Sequence, residues 1–266
     1  MGTVKEVLGW LPESVWHITK VGSIDWRAFI KDRGDPRGVD KGEIPYSEFN
    51  PYLAERVYRY WAWPGAKVVD PFAGRTTRGL VAIGMGLDYE GYEVAPQTHK
   101  ATCEQINQFA NGWQPALGQS KLGSWVLHLE DGVEMKNTER GIADLVFTCP
   151  PYWRVEEYEQ CIGQLSHIGD YSSFRQRIRE TAVNCYQVLK PGGFCVWVVA
   201  DFRFNGKFYP FHSDCIYDFA SCGLDFWDIV INKLNSPYVT GAAVAKELKR
   251  TLKVHEYLLV WKKRDL

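Results

Sequence analysis

The stretch Val68-Val69-Asp70-Pro71-Phe72-Ala73-Gly74 decides the fold, because a short apolar run passes there into a turn that contains glycine. A second stretch, Leu145-Val146-Phe147-Thr148-Cys149-Pro150-Pro151-Tyr152, has the same form with a rigid proline turn. Both apolar runs are typical of buried strands, and parallel α/β sheets bind ligands at the carboxyl ends of their strands. The sequence therefore predicts that a cofactor turn faces a substrate turn at one edge of a sheet.

Apolar runs alternate with helical patterns along the rest of the chain. Seven strands with interleaved helices predict an α/β fold with a doubly wound sheet. Because no helical pattern separates the last two strands, we expect an antiparallel C-terminal edge. Strands are predicted at 67–71, 88–93, 125–129, 143–148, 194–200, 225–232 and 255–262; helices are predicted from Asn50-Pro51 onward and near 76–86, 97–109, 172–189 and 212–221.

The length of 266 residues suits one catalytic domain with a sizeable core. Residues 1–48 are predicted to be an N-terminal arm, because Gly, Asp and Arg are frequent around 31–38. Residues 49–266 are predicted to form the catalytic domain. Within it, 233–254 is the best candidate for a substrate-contacting insertion.

Composition limits the classes of partner. A formal net charge of −1 gives no overall basic signal, so binding of nucleic acid would need local basic patches. The seven cysteines form no Cys-x-x-Cys pair, which predicts free thiols in a reducing cytoplasm and no zinc site. No apolar run is long enough to span a membrane, so no membrane partner is expected. Candidate basic patches are Arg75 with Arg78, Arg175 to Arg179, and Lys246 to Lys263.

The first turn resembles the Asp-Pro-Phe-x-Gly-Ser-Gly cofactor motif of S-adenosylmethionine-dependent amino-methyltransferases that act on DNA bases. It departs from that motif after Gly74, where the second close glycine is absent, but Arg78-Gly79 is similar to variants in phage and prophage DNA modification methylases. The resemblance implies a Rossmann-like class I methyltransferase fold. It also implies S-adenosylmethionine as the cofactor.

The resemblance assigns the cofactor site residue by residue. Asp70 would orient the methionine end, and the rest of the turn, Pro71-Phe72-Ala73-Gly74, would wall the pocket. Glu93 follows the next strand, where dinucleotide-type folds hold ribose hydroxyls. Asp131 stands where the family contacts the adenine amino group.

The second turn resembles the catalytic motif of the same family. Two prolines fix the backbone so that the Pro150 carbonyl points into the cavity. Because the lone pair of an exocyclic amine is delocalised into the base, accepting hydrogen bonds from that amine prepares it for attack on a methyl sulfonium. Tyr152 would stack on a target base flipped out of the duplex. Thr148, Cys149, Pro150, Pro151 and Tyr152 are thus the predicted catalytic residues.

Cys149 is the main departure from the family pattern, which has Ser, Asp or Asn at this position. A thiol is a weak hydrogen-bond acceptor, so Thr148 or a thiolate would have to help. The alternative is that Cys149 attacks a pyrimidine ring covalently, as in carbon-5 methylation.

Residues after these turns are candidates for contacts with nucleic acid: Trp153, and Asp201 with Arg203 at the end of a predicted strand. The predicted function is methylation of a DNA base, with cytosine N4 favoured over adenine N6 because Thr-x-Pro-Pro-Tyr is closer to the cytosine pattern. The alternatives are an RNA base methyltransferase and a non-catalytic nucleic-acid-binding subunit. No large target-recognition domain fits, so a homodimer, a separate specificity subunit or a restriction-modification partner is considered alongside DNA.

Overall fold

The computed structural model describes residues 13–18, 24–27, 49–75, 77–113, 121–156, 158–234 and 246–265. Strands and helices alternate there as the sequence predicts. The strands are β1 (Val15–His17), β2 (Lys67–Asp70), β3 (Asp88–Tyr92), β4 (Trp125–His128), β5 (Ala143–Thr148), β6 (Leu189–Val199), β7 (Phe202–Phe204), β8 (Lys207–Tyr209), β9 (Asp225–Lys233) and β10 (His255–Lys262). The helices are α1 (Pro51–Trp61), α2 (Thr77–Gly84), α3 (Pro96–Gly112), α4 (Tyr171–Val188) and α5 (Phe211–Phe219), with a 3-10 turn at Leu165–His167.

Eight strands form one sheet in the order β1-β9-β10-β6-β5-β2-β3-β4, and β7 with β8 forms a separate hairpin. β10 runs antiparallel to both of its neighbours, β6 and β9, whereas the pairings among β6, β5, β2, β3 and β4 are parallel. The strands that follow β2, which are β3 and β4, lie on one side of it, and β6, which follows β5, lies on the opposite side. The point between those two strands is where a doubly wound sheet binds its ligand.

Two details of the predicted sheet need correction. Among the residues that the structure describes, the sheet has eight strands and not seven, because Val15–His17 pairs in parallel with β9. The antiparallel strand is confirmed, but β10 lies inside the sheet and β1 forms the edge beyond it.

Part of the predicted N-terminal arm packs into the core. Trp26 is only 1% exposed, and its indole nitrogen donates to the buried Glu55 carboxylate at 2.8 Å. Its ring stacks on Trp113 with a centroid distance of 6.2 Å. A signal for this packing was available, since two tryptophans at positions 16 and 26 are unusual in a mobile arm. The predicted division at residue 48 remains a prediction.

The start of α1 agrees with the sequence. The Asn50 side chain accepts a hydrogen bond from the Tyr52 amide at 3.0 Å, and Pro51 occupies the first turn. In the part of the chain that the structure describes, no helix has the length and apolar character needed to cross a membrane.

Gly84 tests the packing of Trp26. A Cβ added at Gly84 would lie 2.7 Å from the Trp26 ring, whereas one added at Gly112 would meet nothing within 4 Å. Gly84→Ala is therefore expected to lower the free energy of unfolding by about 1–3 kcal/mol through overpacking. The matched control, Gly112→Ala, should leave that free energy unchanged or raise it by up to about 1 kcal/mol. Urea denaturation measures both, and equal effects would contradict the described position of Trp26.

Candidate active site

A cavity of about 470 Å³ opens at the carboxyl ends of the central strands. It extends from the glycine turn after β2, past the proline turn after β5, to the adjoining ends of β9 and β10. The two turns predicted to face each other therefore line one space. The predicted residues in its wall are Pro71, Phe72, Ala73, Gly74, Glu93, Asp131, Cys149, Pro150, Pro151, Tyr152 and Asp201.

Asp70 does not line this cavity; it lies beneath it, fully buried. Its carboxylate accepts hydrogen bonds from the Thr148 hydroxyl at 2.6 Å, the Tyr89 hydroxyl at 2.9 Å and the Phe72 amide at 3.2 Å. It also pairs with the buried Arg78 guanidinium, at 2.8 Å from Nε. These donors occupy the oxygens of Asp70, which thereby holds the turn below the cavity. That Asp70 orients the methionine end of a cofactor stays a prediction.

Arg78 holds the turn from the inside. Besides pairing with Asp70, its Nη2 donates to the Phe72 carbonyl at 2.6 Å, and the guanidinium lies over the Phe49 ring at 4.8 Å. Burial by itself lowers the pKa of Arg78, but the charges around it, led by that of Asp70, and the hydrogen bond to Asp70 together raise that pKa. Arg78 thus fixes the path of the backbone through this turn, which lacks the second glycine of the family motif.

Thr148 likewise acts within the protein. Its side chain is buried and its hydroxyl is used on Asp70, so it does not reach the cavity as the predicted helper of Cys149. The hydrogen bond instead joins the end of β5 to the end of β2. The sequence motifs place Asp70 and Thr148 at the correct edge, but they carry no sign that the two side chains bind each other.

Glu93 faces the cavity at the predicted ribose position. Its carboxylate accepts from the Ala95 amide at 2.7 Å. Burial in the cavity wall, with a smaller contribution from the charge of Glu159, raises the pKa of Glu93 to about 7. Glu159 lines the same wall and accepts from the Gln97 amide at 3.2 Å, at the start of α3. The charge of Glu93 therefore changes near neutral pH.

Asp131 also lines the cavity, but much of its hydrogen-bonding capacity is used. One oxygen accepts from the Val133 amide at 2.9 Å, and the other pairs with Arg177. The backbone beside it is tightly placed, since a Cβ at Gly132 would lie 1.7 Å from the Pro71 carbonyl oxygen. This glycine lets the Asp131 turn approach the Pro71 turn closely, which closes one end of the cavity.

The residues of this end fit S-adenosylmethionine. Gly74 has φ of +54°, and a Cβ there would meet nothing within 4 Å, so the turn leaves open space beside its backbone. Glu93 supplies a carboxylate for ribose hydroxyls, and Phe72 supplies an aromatic wall that meets Trp197 at a ring distance of 6.0 Å. A compact apolar wall with few polar groups suits a small cofactor.

The proline turn presents its groups to the cavity as predicted. Cys149, Pro150, Pro151 and Tyr152 all line it. The Tyr152 ring is held edge-on by Phe202 and Phe211 at centroid distances of 5.9 and 6.1 Å. A face of an aromatic ring held rigidly in this way can stack on a planar base.

Cys149 is a neutral thiol at physiological pH. Desolvation by burial raises its pKa to about 12, although the charge of Arg78 acts in the opposite direction. A thiolate, not a thiol, is the nucleophile and the good acceptor. This pKa argues against both the predicted thiolate helper and the carbon-5 alternative.

Two of the three residues predicted to contact nucleic acid lie elsewhere. Trp153 is buried, donates from its indole nitrogen to the Ile168 carbonyl at 2.8 Å, and packs against Phe204. Its ring therefore is not available to a base. Arg203 lies on the β7–β8 hairpin over the Phe208 ring and does not line the cavity. Proximity in sequence to the two strand ends suggested both residues.

Asp201 does line the cavity, and it has a partner that the sequence did not reveal. Its Oδ1 lies 2.6 Å from His212 Nδ1, at the start of α5. The His212 ring stacks on Tyr257 at 4.2 Å. Asp201 is thus held rigidly at the end of β6.

The Arg175 to Arg179 group is not a free basic patch. Arg175 pairs with Asp218 and Asp214, Arg179 pairs with Asp218, and Arg177 pairs with Asp131. In the described part of the Lys246 to Lys263 group, Lys263 donates to backbone carbonyls near the end of α4. Carboxylates compensate the charges of the Arg175 to Arg179 group, so this group does not mark a nucleic-acid surface by itself.

The far end of the cavity contains polar residues that sequence reasoning missed. Asn232 and Glu256 face each other across β9 and β10, and Lys253 lies just before β10. They fall at or near the strand ends, but no motif marks them. Only the register of β9 with β10 brings them together.

The family comparison finds a match to a DNA methylase family model (N6_N4_Mtase) over residues 143–265. A comparison with curated proteins finds no match. TrmN from Thermus thermophilus superposes with a TM-score of 0.53 at 14% identity, over 82% of this chain and 50% of that one. A SAM-dependent methyltransferase from Methanosarcina mazei gives 0.52 at 10% identity, over 79% and 98%.

A DNA modification methylase from Thermus thermophilus gives a TM-score of 0.38 at 26% identity, over 50% of this chain and 49% of that one. The chain thus spans about half the length of TrmN and of this methylase. The class I methyltransferase fold of the neighbours is the predicted one. The predicted fold is thus confirmed, and over residues 143–265 the predicted resemblance to DNA methylases is confirmed.

Proposed function

We propose that this chain methylates the exocyclic amine of a DNA base, with cytosine N4 favoured over adenine N6. One observation carries the proposal: a single cavity joins the Gly74 turn to the Pro150-Pro151-Tyr152 turn. The first turn suits a cofactor and the second suits a planar base. The match to DNA methylases supports DNA as the substrate class.

The cofactor would be held at the Gly74 end. Glu93 would accept hydrogen bonds from the ribose hydroxyls, and Asp131 would contact the adenine amino group. Thr77, at the start of α2, lines the cavity, and the positive end of the helix dipole there would favour the carboxylate group of the cofactor. When bound, S-adenosylmethionine supplies an electrophilic methyl group on a sulfonium centre.

The target base would be held at the Tyr152 end. Tyr152 stacks on the flipped base, and the Pro150 carbonyl accepts a hydrogen bond from its amine. The bound cofactor would supply the methyl group to the amine nitrogen and would keep the electron pair of the carbon–sulfur bond on its sulfur. The methylated amine then loses a proton to water. Cys149, as a neutral thiol, contributes shape and does not need to ionise.

Sequence recognition requires more surface than this cavity offers. Reading bases in the major groove needs an element that enters the groove. The segments 1–48, 154–171 and 203–250 are the candidates within this chain; residues 235–245 of the proposed insertion at 233–254 lie outside the described residues. Alternatively, a second copy of this chain or a separate specificity subunit would supply the element that reads the DNA sequence. The predicted cytoplasmic location and a restriction partner also remain proposals.

Nucleoside mass spectrometry of DNA from cells that express the chain tests the function. N4-methylcytosine or N6-methyladenine is the expected product. Tyr152→Ala should reduce it roughly tenfold to a hundredfold, because base stacking on an aromatic ring contributes about 1–3 kcal/mol. Appearance of 5-methylcytosine would overturn transfer to an amine. Modified RNA nucleosides with unmodified DNA would favour the RNA alternative, and no modified nucleoside at all would favour a non-catalytic subunit.

Cys149→Ser separates the two roles considered for Cys149. Because the thiol is neutral and a hydroxyl is the better acceptor, the variant is expected to retain or increase methyl transfer. Initial rates with labelled cofactor on unmethylated duplex DNA measure the effect. Complete loss of transfer, together with a covalent protein–DNA adduct in the wild type, would point to a nucleophilic cysteine.

Glu93 predicts a pH dependence of cofactor binding. With a pKa of about 7, its carboxylate is mostly ionised at pH 8 and mostly protonated at pH 6. Only the ionised form accepts from both ribose hydroxyls, so the Kd of S-adenosylmethionine should rise up to about tenfold from pH 8 to pH 6. Glu93→Gln should bind weakly at both pH values without this additional change. Calorimetric titration measures the Kd of both proteins at each pH. Ionisation of the ligand affects both proteins equally, so only the difference between them reports on Glu93. Parallel pH profiles of Kd for the wild type and Glu93→Gln would refute the assignment.

A further inference from the structure

The β7–β8 hairpin leaves the main sheet directly beside the proline turn. It follows β6, at the carboxyl end of that strand, and its first residue, Phe202, lines the cavity. The Phe202 ring lies 5.9 Å from the Tyr152 ring, between centroids, so the hairpin touches the turn that would hold the target base. The solvent-facing residues of the hairpin therefore lie next to this end of the cavity.

The hairpin is held rigidly on the body of the protein. Its turn, Asn205-Gly206, has φ of +48° and +78°, which is the left-handed conformation of the tight two-residue turns that match the twist of paired strands. The Phe202 ring stacks on the Tyr209 ring at 5.2 Å, and the buried Trp153 ring meets Tyr209 at 5.4 Å. Exposed side chains on this hairpin thus have fixed positions relative to the proline turn.

Three exposed cationic side chains surround this aromatic support: Arg154, Arg203 and Lys207. The Arg154 guanidinium lies 5.9 Å from the centre of the Trp153 ring, and Lys207 Nζ lies 5.1 Å from the centre of the Tyr209 ring. Arg203 lies on the outer face of the hairpin, because successive side chains of a strand alternate between faces and its neighbour lines the cavity. We call these three residues the hairpin cations.

The hairpin cations are not compensated by carboxylates. Among the residues that the structure describes, no carboxylate lies within ion-pair distance of any of the three. Their polar contacts are long ones to backbone carbonyls: Arg154 Nε donates to Ile168 at 3.4 Å, and Arg203 Nη1 donates to Gly206 at 3.3 Å. These guanidinium groups retain most of their donors for an anion that arrives from solvent.

Carboxylates near the hairpin are engaged elsewhere. Asp201, which precedes the hairpin, lies 2.6 Å from His212 Nδ1 through its Oδ1. Asp214 accepts from the Tyr171 hydroxyl at 2.6 Å and pairs with Arg175. The hairpin cations therefore differ from the Arg175 to Arg179 group, whose charges are neutralised within the protein. They form a positive surface on a chain whose formal net charge is −1.

We propose that the hairpin cations bind the phosphate backbone of duplex DNA on either side of the target nucleotide. The choice of DNA rests on the proposed function. When a base is flipped into the cavity against Tyr152, the phosphates that flank its nucleotide stay outside the pocket. Fixed cations at that position would displace counterions from those phosphates and would orient the strand without reading its sequence.

The salt dependence of DNA binding tests this inference. The probe is a fluorescent duplex of mixed sequence, because phosphate contacts do not depend on sequence, and anisotropy gives the Kd from about 50 to 200 mM salt. In the double variant Arg203→Ala with Lys207→Ala, each lost contact should lower the slope of log Kd against log salt by about 0.9. The Kd at low salt should rise roughly tenfold or more. Arg203→Lys with Lys207→Arg keeps both charges and should keep the slope.

The matched control is Lys262→Ala with Arg264→Ala. It removes the same charge, but Arg264 pairs with Asp225 and Lys262 with Asp265. Lys262 is paired in register with Phe194, near the amino end of β6, so this pair lies at the opposite end of the strand from the hairpin. The control should change the Kd for DNA by less than about twofold, because its charges are already compensated and distant charges are screened by salt.

Thermal melting and calorimetric titration with S-adenosylmethionine show whether each variant folds with an intact cofactor site. If the double alanine variant does not fold, the single variants Arg203→Gln and Lys207→Gln take its place, each with the loss of one contact. A wild-type slope in these variants, or a loss of affinity no larger than that of the control, overturns the inference and leaves the proposed function in place. A wild type that binds duplex DNA through the hairpin but methylates none overturns the proposed methylation and leaves the inference. A wild type that binds RNA and not duplex DNA overturns both.

Discussion

The site depends on one buried ion pair, between Asp70 and Arg78. Asp70 accepts from groups on three neighbouring strands or their turns: Tyr89 on β3, Thr148 on β5 and the turn after β2 itself. Burying a carboxylate is costly unless it is paired and hydrogen-bonded, and removing one partner of such a pair typically costs about 3–5 kcal/mol. The carboxyl ends of these strands are thus fixed relative to one another by a single side chain.

This arrangement explains how two turns far apart in sequence form one cavity. Arg78 fixes the Gly74 turn by donating to the Phe72 carbonyl, and Thr148 fixes the start of the proline turn by donating to Asp70. Preorganised polar groups need little reorganisation when a reaction occurs. The side chains of Asp70 and Thr148 therefore hold the two turns rigidly, while the residues that follow them in each turn face the cavity.

The sequence was informative wherever a local pattern determines structure. Alternating apolar runs and helix signals predicted β2 to β6, β9 and β10 in their order along the chain, but not the β7–β8 hairpin. The glycine and proline turns predicted the edge at which the cavity opens. Three features escaped it because they depend on tertiary packing. Trp26 is buried by contacts with helices distant in sequence, Asp70 pairs with Arg78 inside the protein, and Asn232 meets Glu256 only through strand register. No pattern of neighbouring residues in the sequence predicts these three contacts.

The position of β1 has a consequence for how the molecule assembles during synthesis. Val15 pairs with Ile231, so β1 has no neighbouring strand until β9 has been made. The parallel pairings of β2, β3, β4 and β5 need only the chain up to residue 148, whereas Asn232 and Glu256 belong to the last two strands. A chain emerging from the ribosome therefore has the strands around the Gly74 turn well before the far wall of the cavity exists. Contacts between residues this far apart in sequence form more slowly than local contacts. We therefore expect the far wall of the cavity to form late in folding.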